Sequence, residues 1–316
     1  MSRPHILTVA KLSPLLMEQL NAVYSVHDRL HETDPAGFAE VAPLIRGIAG
    51  GGESIVSRQL MAQLPALEIV SIMGVGYDGV DVAAALERRI PVTHTPNVLN
   101  DEVADLAFGL MLGVARQIPQ ADHYVRQGRW ARDGVMPLAR KVSGARMGIV
   151  GLGRIGLAIA KRAEAFGMSV AYTARGAKPG VAYSFYPTAT ALAAQVDFLI
   201  VITPGGGGTR HLINAEVLQA LGPGGYLINV ARGSVVDEVA LIDALQKGVI
   251  AGAGLDVFEK EPHVPEAFWA MDNVVLTPHI GSATRQTRQA MADLVAANLQ
   301  AHFAGLPLLS AVPEWC

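Results

Sequence analysis

Three glycines at the spacing G-x-G-x-x-G are the first residues of this chain whose pattern could bind a ligand. They follow a short apolar run at residues 147–150 and precede an Ala-rich helical pattern. In such a turn the first glycine permits a tight bend, the second lets the backbone approach a pyrophosphate, and the third lets the helix pack close to the sheet. With a second strand at 168–172, the pattern predicts a dinucleotide site formed by Gly151, Leu152, Gly153, Arg154, Ile155 and Gly156.

The residues after that second strand indicate which dinucleotide binds. NAD-binding turns place an Asp or Glu about 20 residues on, to hold the ribose 2′-OH. Residues 171–176 contain no carboxylate; Thr173 is among them, and Arg175 lies at or next to the acidic position. Because a guanidinium can pair bidentately with a 2′-phosphate, we predict NADP(H) as the preferred cofactor and NAD(H) as the alternative. The competing interpretation of Arg175 is a surface arginine on a loop.

Three further polar side chains follow later predicted strands. Arg232 lies in Asn-Val-Ala-Arg-Gly, Glu261 follows Gly-Leu-Asp-Val-Phe, and His279 lies in Thr-Pro-His-Ile-Gly. With these strings in this order, the chain resembles the D-isomer-specific 2-hydroxyacid dehydrogenases over nearly its whole length. The resemblance implies that Arg232, Glu261 and His279 form the catalytic set of an enzyme.

These residue types suit the reduction of a 2-oxo acid, which needs a hydride donor, a proton donor and a cation for the carboxylate. The ordinary pKa of histidine, ~6.5, lies near the working pH. A paired Glu261 would fix the tautomer of His279 and favour its protonated form. The planar fork of Arg232 can bind carboxylate and carbonyl oxygens. The competing interpretations are a structural histidine and surface charges, with Glu259 as the acid most easily mistaken for Glu261.

The resemblance also implies roles outside the catalytic set. The backbone of Gly74, Val75 and Gly76 would bind the substrate carboxylate together with Arg232. The nicotinamide half of the cofactor would be lined by Val103, Thr203, Pro204, Thr209, Val230, Ala231, Asp256, His279 and Gly281. Ordinary packing is the competing interpretation for the lining residues. No His/Cys spacing suggests a metal.

Several members of the family are disfavoured by particular residues. Glu261 stands where formate dehydrogenases have Gln, and the missing acid near Arg175 argues against NAD-linked D-lactate enzymes. From the end of the sequence at residue 316, we expect no regulatory module of the kind found in many phosphoglycerate dehydrogenases. We therefore expect an NADP-linked glyoxylate/hydroxypyruvate reductase, with a hydroxyphenylpyruvate reductase as the alternative. A dinucleotide-sensing corepressor is the alternative of another class, and turnover of a 2-oxo acid would exclude it.

Strand and helix patterns alternate along the chain, which predicts parallel sheets covered by helices. We expect an α/β fold with two doubly wound domains and a cleft between them: a flavodoxin-like substrate domain (1–99 and 284–316) and a Rossmann cofactor domain (100–283). The long last helix pattern and the apolar tail at 306–312 suggest the return to the first domain. Five strands are predicted in the first domain, at 5–10, 23–26, 44–49, 68–73 and 91–94. Six are predicted in the second, at 147–150, 168–172, 197–203, 225–230, 250–255 and 273–277.

Two segments before the glycine-rich turn suggest a homodimer. Residues 100–117 form a long apolar helix pattern, which we interpret as a spine joining the domains. Residues 118–145 are polar and contain Gly and Pro, and we interpret them as an irregular arm that reaches a second subunit.

Composition bears on two further questions, whether the protein binds nucleic acid or a membrane and in which compartment it lies. Of the 316 residues, 51% are hydrophobic and 17% charged, and the net charge of −3 gives no case for nucleic acid or a membrane surface. The one cysteine, Cys316, and the absence of a signal peptide or an 18-residue apolar run lead us to expect a cytoplasmic protein.

Overall fold

The computed structural model describes residues 3–315; Met1, Ser2 and Cys316, the cysteine used to predict the location, lie outside that range. The chain divides into two compact units, Met1–Leu99 with Ala283–Cys316 (unit 1) and Asn100–Ser282 (unit 2). Each unit contains a parallel sheet covered by helices, which confirms the predicted fold class. The assignment of substrate binding to the first domain and cofactor binding to the second stays a prediction.

Unit 1 contains a five-stranded parallel sheet in the order β2-β1-β3-β4-β5, the flavodoxin-like order. Its strands are β1 (His5–Thr8), β2 (Ser25–Asp28), β3 (Ile45–Gly51), β4 (Ile69–Met73) and β5 (Val92–Thr93). Its helices are α1 (Pro14–Val23), α2 (Leu30–Thr33), α3 (Pro35–Val41), α4 (Arg58–Ala62), α5 (Val82–Glu87) and α13 (Arg285–Phe303). Every residue of β4 is buried, as expected for a parallel strand with helices on both faces.

The C-terminal segment is attached to the sheet of unit 1. Helix α13 packs on β4 and α1. Beyond it, Val312 N–H donates to the carbonyl of Val92 at 2.9 Å, and Ala311 bridges Thr93 in antiparallel fashion. The side chain of Val312 is fully buried, so the tail extends the sheet beside β5.

Unit 2 contains a seven-stranded parallel sheet in the order β12-β11-β10-β9-β6-β7-β8. Its strands are β6 (Arg146–Val150), β7 (Ser169–Thr173), β8 (Ser184–Phe185), β9 (Phe198–Val201), β10 (Tyr226–Asn229), β11 (Gly252–Leu255) and β12 (Val274–Leu276). Its helices are α6 (Asn100–Ala115), α7 (Ile118–Arg126), α8 (Arg129–Asp133), α9 (Arg154–Ala165), α10 (Ala189–Ala193), α11 (Ala215–Leu221) and α12 (Glu238–Gln246). The two-residue edge strand β8 was not predicted.

Helix α6 packs within unit 2 because glycines in β11 leave room for it. A Cβ on Gly254 would lie 2.9 Å from the Cβ of Leu110, and one on Gly252 would lie 2.9 Å from Val114. The helix therefore lies directly on the strand backbone.

The interpretation of residues 118–145 as irregular throughout was wrong, because helices α7 and α8 occupy residues 118–126 and 129–133. Pro119 stands in the first turn of α7, where its missing N–H costs nothing. Ion pairs at i,i+4 spacing stabilise both helices, Asp122–Arg126 at 2.8 Å and Arg129–Asp133 at 2.9 Å. Residues 134–140 have no regular secondary structure.

Within residues 3–315, no helix has both the length and the apolar character needed to cross a bilayer.

Candidate active site

The glycine-rich turn lies at the switch point of the unit 2 sheet, where β6 has β7 on one side and β9 on the other. Open α/β sheets bind ligands at the carboxyl ends of strands at such a point. Gly151 has φ +101°, and a Cβ there would lie 2.7 Å from the carbonyl oxygen of Ile202 in the loop after β9. A Cβ on Gly156 would lie 2.4 Å from the carbonyl oxygen of Gly151. The protein's own packing therefore requires both of these glycines.

Gly153 differs, because a Cβ there would meet no atom within 4 Å. It is the N-cap of α9 and provides no side-chain cap, whereas Asn214 and Asp237 cap α11 and α12. The first N–H groups of α9 carry partial positive charge and lack the usual side-chain acceptor. This end of the helix has the open space and the donors that a pyrophosphate needs. The turn at the start of α9 therefore fits the pyrophosphate of a dinucleotide.

Thr173 and Arg175 lie at the end of β7, beside this turn. Gly151 N–H donates to the carbonyl of Thr173 at 2.9 Å, which joins the ends of β6 and β7. The buried Tyr172 accepts a 2.7 Å hydrogen bond from the backbone N–H of Lys178 and so shapes the loop between them. Arg175 is exposed and has no ion pair or hydrogen bond within residues 3–315.

The loop after β9 carries the predicted cofactor residues Thr203, Pro204 and Thr209. The Thr209 hydroxyl donates to the carbonyl of Pro204 at 2.7 Å, and its N–H donates to the carbonyl of Gly206, a residue with φ +111°. Both bonds join residues of the same loop, so Thr209 stabilises the conformation of that loop.

Arg232 follows β10, and the strand-end Asn229 shapes its turn. The Asn229 side chain accepts from Ala231 N–H and donates to the carbonyl of Arg232, both at 3.1 Å. Val230 and Ala231 are buried. Asn229 was not among the predicted site residues; a polar residue at the end of an apolar run was the available signal, and Asn229 is buried.

Gly233 brings the Arg232 loop against the loop that leads to Glu261. A Cβ on Gly233 would lie 1.8 Å from the carbonyl carbon of Phe258, far inside any contact distance. The two backbones can pass only because this residue has no side chain. Their proximity places the positive charge of Arg232 where it contributes to lowering the pKa of Glu261.

Asp256, at the end of β11, organises the loop that carries His279. Its carboxylate accepts from the N–H groups of Ile280 and Gly281, each at 2.8 Å, and from the hydroxyl of Thr277 at 2.6 Å. Asp256 is buried, and this burial raises its pKa despite those bonds. A Cβ on Gly281 would lie 3.2 Å from this carboxylate and 3.3 Å from Val103.

His279 and Glu261 are in direct contact. Nδ1 of His279 lies 2.7 Å from Oε2 of Glu261, and Oε1 of Glu261 accepts from Phe258 N–H at 3.0 Å. Burial tends to raise the pKa of Glu261, but the hydrogen bond and charge of His279, with smaller contributions from the Phe258 N–H and Arg232, hold that pKa below its usual range. Since a carboxylate only accepts, Nδ1 carries a proton and Nε2 is the nitrogen that can exchange one.

Glu259 lies in a different cluster. Its carboxylate is 2.5 Å from Arg210 and 3.3 Å from His211, and its N–H donates to Glu238. Glu261 is therefore the acid that contacts His279.

The predicted substrate residues Gly74, Val75 and Gly76 follow β4 in unit 1. A Cβ on Gly74 would lie 2.7 Å from the Cα of Gly52, so this loop packs tightly on the loop after β3. Thr95 N–H donates to the carbonyl of Gly74 at 2.8 Å, and Nδ1 of His94 lies 2.9 Å from the carbonyl oxygen of Val75.

Residues 108–281 match the family model described as D-isomer specific 2-hydroxyacid dehydrogenase, NAD binding domain. The chain is 47% identical to the hydroxyphenylpyruvate reductase of Plectranthus scutellarioides, over 97% of this chain and 98% of that protein. It is 51% identical to a glyoxylate/hydroxypyruvate reductase of Arabidopsis thaliana, over 85% of each.

A solved structure shows the same likeness over the whole fold. The NADPH-dependent glyoxylate/hydroxypyruvate reductase of Sinorhizobium meliloti, in complex with NADP and malonate, is 50% identical, with a TM-score of 0.94 and coverage of 99% of this chain and 98% of that one. Family model, relatives and structure agree with the resemblance found in the sequence. The chain belongs to the D-isomer specific 2-hydroxyacid dehydrogenases.

Proposed function

We propose that the chain reduces small 2-oxo acids, glyoxylate and hydroxypyruvate, to 2-hydroxy acids with NADPH. The observation that carries this proposal is the 2.7 Å contact between His279 Nδ1 and Glu261, next to the loop of Arg232. The Arabidopsis and Sinorhizobium relatives, named for these two substrates, support it.

In this reaction His279 is the general acid. A bound nicotinamide supplies the hydride that adds to the carbonyl carbon. Protonated His279 gives its Nε2 proton to the carbonyl oxygen and becomes neutral imidazole, so the C=O group becomes CH–OH. Glu261 keeps the Nδ1 proton in place and stabilises the imidazolium before transfer.

The substrate carboxylate is bound by positive charge and by backbone donors. We assign the positive charge to Arg232, whose planar guanidinium suits carboxylate oxygens and whose Nη1 also donates to the carbonyl of Ala231 at 2.8 Å. We assign the backbone donors to the N–H groups of Val75 and Gly76. Both peptides belong to the tight loop after β4 described above.

Arg175 supports NADP(H) as the cofactor. The guanidinium is exposed, lacks a partner within residues 3–315 and stands at the strand end where NAD-binding turns have an acid. The Sinorhizobium relative, solved with NADP, points to the same cofactor. For the turn itself we assign pyrophosphate binding to Gly151, Leu152, Gly153, Arg154, Ile155 and Gly156, with Thr173 beside it. For the nicotinamide half we assign Val103, Thr203, Pro204, Thr209, Val230, Ala231, Asp256, His279 and Gly281.

A hydroxyphenylpyruvate reductase is the second candidate function. It is favoured by the relative from Plectranthus, which matches along 97% of this chain. The chemistry at His279 would be the same, and only the substrate side chain would differ.

We further propose that the chain forms a homodimer through residues 118–145, the segment predicted to be an arm. Large apolar side chains are exposed there: Trp130 is 64% exposed, Val135 87% and Leu138 fully. Apolar groups grouped on one segment favour burial against a partner, and a second copy is the occupant we propose. The cytoplasmic location stays a prediction.

Initial rates test the function. Glyoxylate, hydroxypyruvate, pyruvate and 4-hydroxyphenylpyruvate would each be assayed with NADPH and with NADH. We expect the highest kcat/KM for glyoxylate or hydroxypyruvate with NADPH. A higher value for 4-hydroxyphenylpyruvate would favour the second candidate. No turnover with any of the four, despite cofactor binding, would favour a corepressor-like role instead.

A further inference from the structure

We propose that His94 is a positioning residue for substrate binding, because its side chain orients the Gly76 N–H. This inference rests on the proposed function, in which the N–H groups of Val75 and Gly76 bind the carboxylate of the 2-oxo acid. His94 lies after β5, outside every motif that identified the family.

The geometry of the peptide group links His94 to that N–H. The peptide between Val75 and Gly76 carries the Val75 carbonyl at one end and the Gly76 N–H at the other, and it is trans. In a trans peptide the two groups point in opposite directions within one plane. His94 Nδ1 lies 2.9 Å from the Val75 carbonyl oxygen, which can only accept, so Nδ1 is the donor. Holding the oxygen toward His94 turns the Gly76 N–H away from it.

The preceding peptide is held in the same way. It carries the Gly74 carbonyl, which accepts from Thr95 N–H at 2.8 Å, and the Val75 N–H. Two consecutive residues after β5 therefore fix two consecutive peptide planes. Within residues 3–315 neither the Val75 N–H nor the Gly76 N–H donates a hydrogen bond, and both residues are partly exposed. Two adjacent donors turned the same way suit the two oxygens of a carboxylate.

The C-terminal tail fixes the backbone of His94. His94 N–H donates to the carbonyl of Ser310 at 3.1 Å, and the Ser310 hydroxyl donates to the carbonyl of His94 at 2.7 Å. The fully buried Asn298, on α13, donates to that hydroxyl at 2.8 Å and accepts from Ser310 N–H.

The ring of His94 is held by packing. It is buried, and Tyr77 meets it edge to face with the ring centroids 5.2 Å apart and an angle of 84°. The Tyr77 hydroxyl donates to Glu314 at 3.0 Å. Burial and the neighbouring Glu314 raise the pKa of Tyr77 to about 12, so it remains a donor at neutral pH. Burial and the Tyr77 ring therefore hold the imidazole in the orientation in which Nδ1 meets the Val75 carbonyl.

Two substitutions separate the hydrogen bond from the packing. His94→Leu keeps a similar volume and removes the donor, whereas His94→Asn retains an N–H donor near the position of Nδ1. Losing one neutral hydrogen bond should weaken carboxylate binding by about 2- to 13-fold. We expect His94→Leu to raise the KM for glyoxylate, and the dissociation constant of oxamate with the NADPH complex, by that factor. The kcat should change less, because the bond acts on bound substrate and transition state alike. His94→Asn should recover most of the affinity.

The dissociation constant of NADPH, measured by fluorescence, should stay at the wild-type value in both variants. This measurement is the control that both variants are folded. An unchanged KM and oxamate affinity in His94→Leu would overturn the role of His94 while the proposed function stood. Equal losses in His94→Leu and His94→Asn would also overturn it, since they would point to ring packing alone. A wild-type enzyme that reduces no 2-oxo acid would overturn the proposed function instead.

Discussion

His279 has a backbone conformation that a non-glycine residue rarely adopts, with φ +52°. Such a conformation persists only where the surroundings determine it. Here the N–H of His279 donates to the carbonyl of Asp256 at 2.8 Å, and the next two N–H groups donate to the Asp256 carboxylate. One buried residue thus fixes three consecutive donors. We infer that Asp256 acts on the proposed reaction through the placement of His279.

The proposed roles of His279 and Arg232 predict different kinetic losses. His279→Ala removes the general acid, so kcat should fall by roughly 10²–10⁴-fold with NADPH affinity little changed. Arg232→Ala removes the guanidinium proposed to bind the substrate carboxylate, so the KM for the oxo acid should rise strongly. Steady-state kinetics with glyoxylate, together with NADPH fluorescence titrations, would separate the two. Near-normal turnover in His279→Ala would mean that another group donates the proton.

The sequence distinguishes some site residues better than others. Arg232, Glu261 and His279 could be named because each follows a strand within a specific string. Between Glu259 and Glu261, two residues apart, only the structure decides: Arg210 lies 2.5 Å from Glu259, and His279 lies 2.7 Å from Glu261. The contributions of Asn229 and His94 could not be predicted, because they depend on hydrogen bonds to backbone that the fold brings near.

At the scale of the elements, the turn between β6 and α9 offers a matched pair of substitutions. A Cβ on Gly156 would lie 2.4 Å from a backbone oxygen, so Gly156→Ala should destabilise the fold by about 1–3 kcal/mol. A Cβ on Gly153 meets only open space, so Gly153→Ala should keep the wild-type Tm. It should instead weaken NADPH binding by about 10-fold or more, since hydrogen bonds to a charged phosphate are lost.

Thermal unfolding and NADPH titration of the two variants measure this difference. Tight NADPH binding in Gly153→Ala would contradict the placement of the pyrophosphate at the start of α9.

The proposed role of Arg175 assigns the cofactor preference to the loop after β7. Arg175→Ala should raise the KM for NADPH and leave that for NADH nearly unchanged. Loss of one charge-assisted bidentate contact costs on the order of 1.5–3 kcal/mol, roughly 10- to 150-fold. NADH is the internal control, because it lacks the 2′-phosphate. A wild-type preference for NADH would show that the interpretation of this loop is wrong.

Most elements could be predicted because parallel strands with helices on both faces appear as short apolar runs. The edge strand β8 could not, since two residues, Ser184 and Phe185, give no periodicity. Helices α7 and α8 were missed because Pro119 and Gly128 resemble helix breakers, whereas each stands at a helix start. Their side-chain ion pairs become visible only once the helical register is known.

At the scale of the whole molecule, the exposed apolar side chains of residues 130–138 predict the oligomeric state. Static light scattering should give twice the chain mass of 33.3 kDa at micromolar concentration. Leu138→Asp places a charge on a fully exposed side chain, so it should leave the fold intact and weaken association. Wild-type protein that scatters as a monomer would contradict the dimer.

His279 as the proton donor is tested most directly by the pH dependence of kcat for glyoxylate reduction with NADPH, in the wild type and in Glu261→Gln. The lowered pKa of Glu261 keeps this carboxylate ionised at neutral pH, and its contribution to stability is lost only as the pH falls through that lowered value. Reduction needs the imidazolium, so wild-type activity should fall as the pH rises. Glu261→Gln keeps the shape and removes the charge, which disfavours the imidazolium and should move the alkaline limb to lower pH. An unchanged alkaline limb, or no NADPH-dependent turnover in the wild type, would contradict the proposed mechanism.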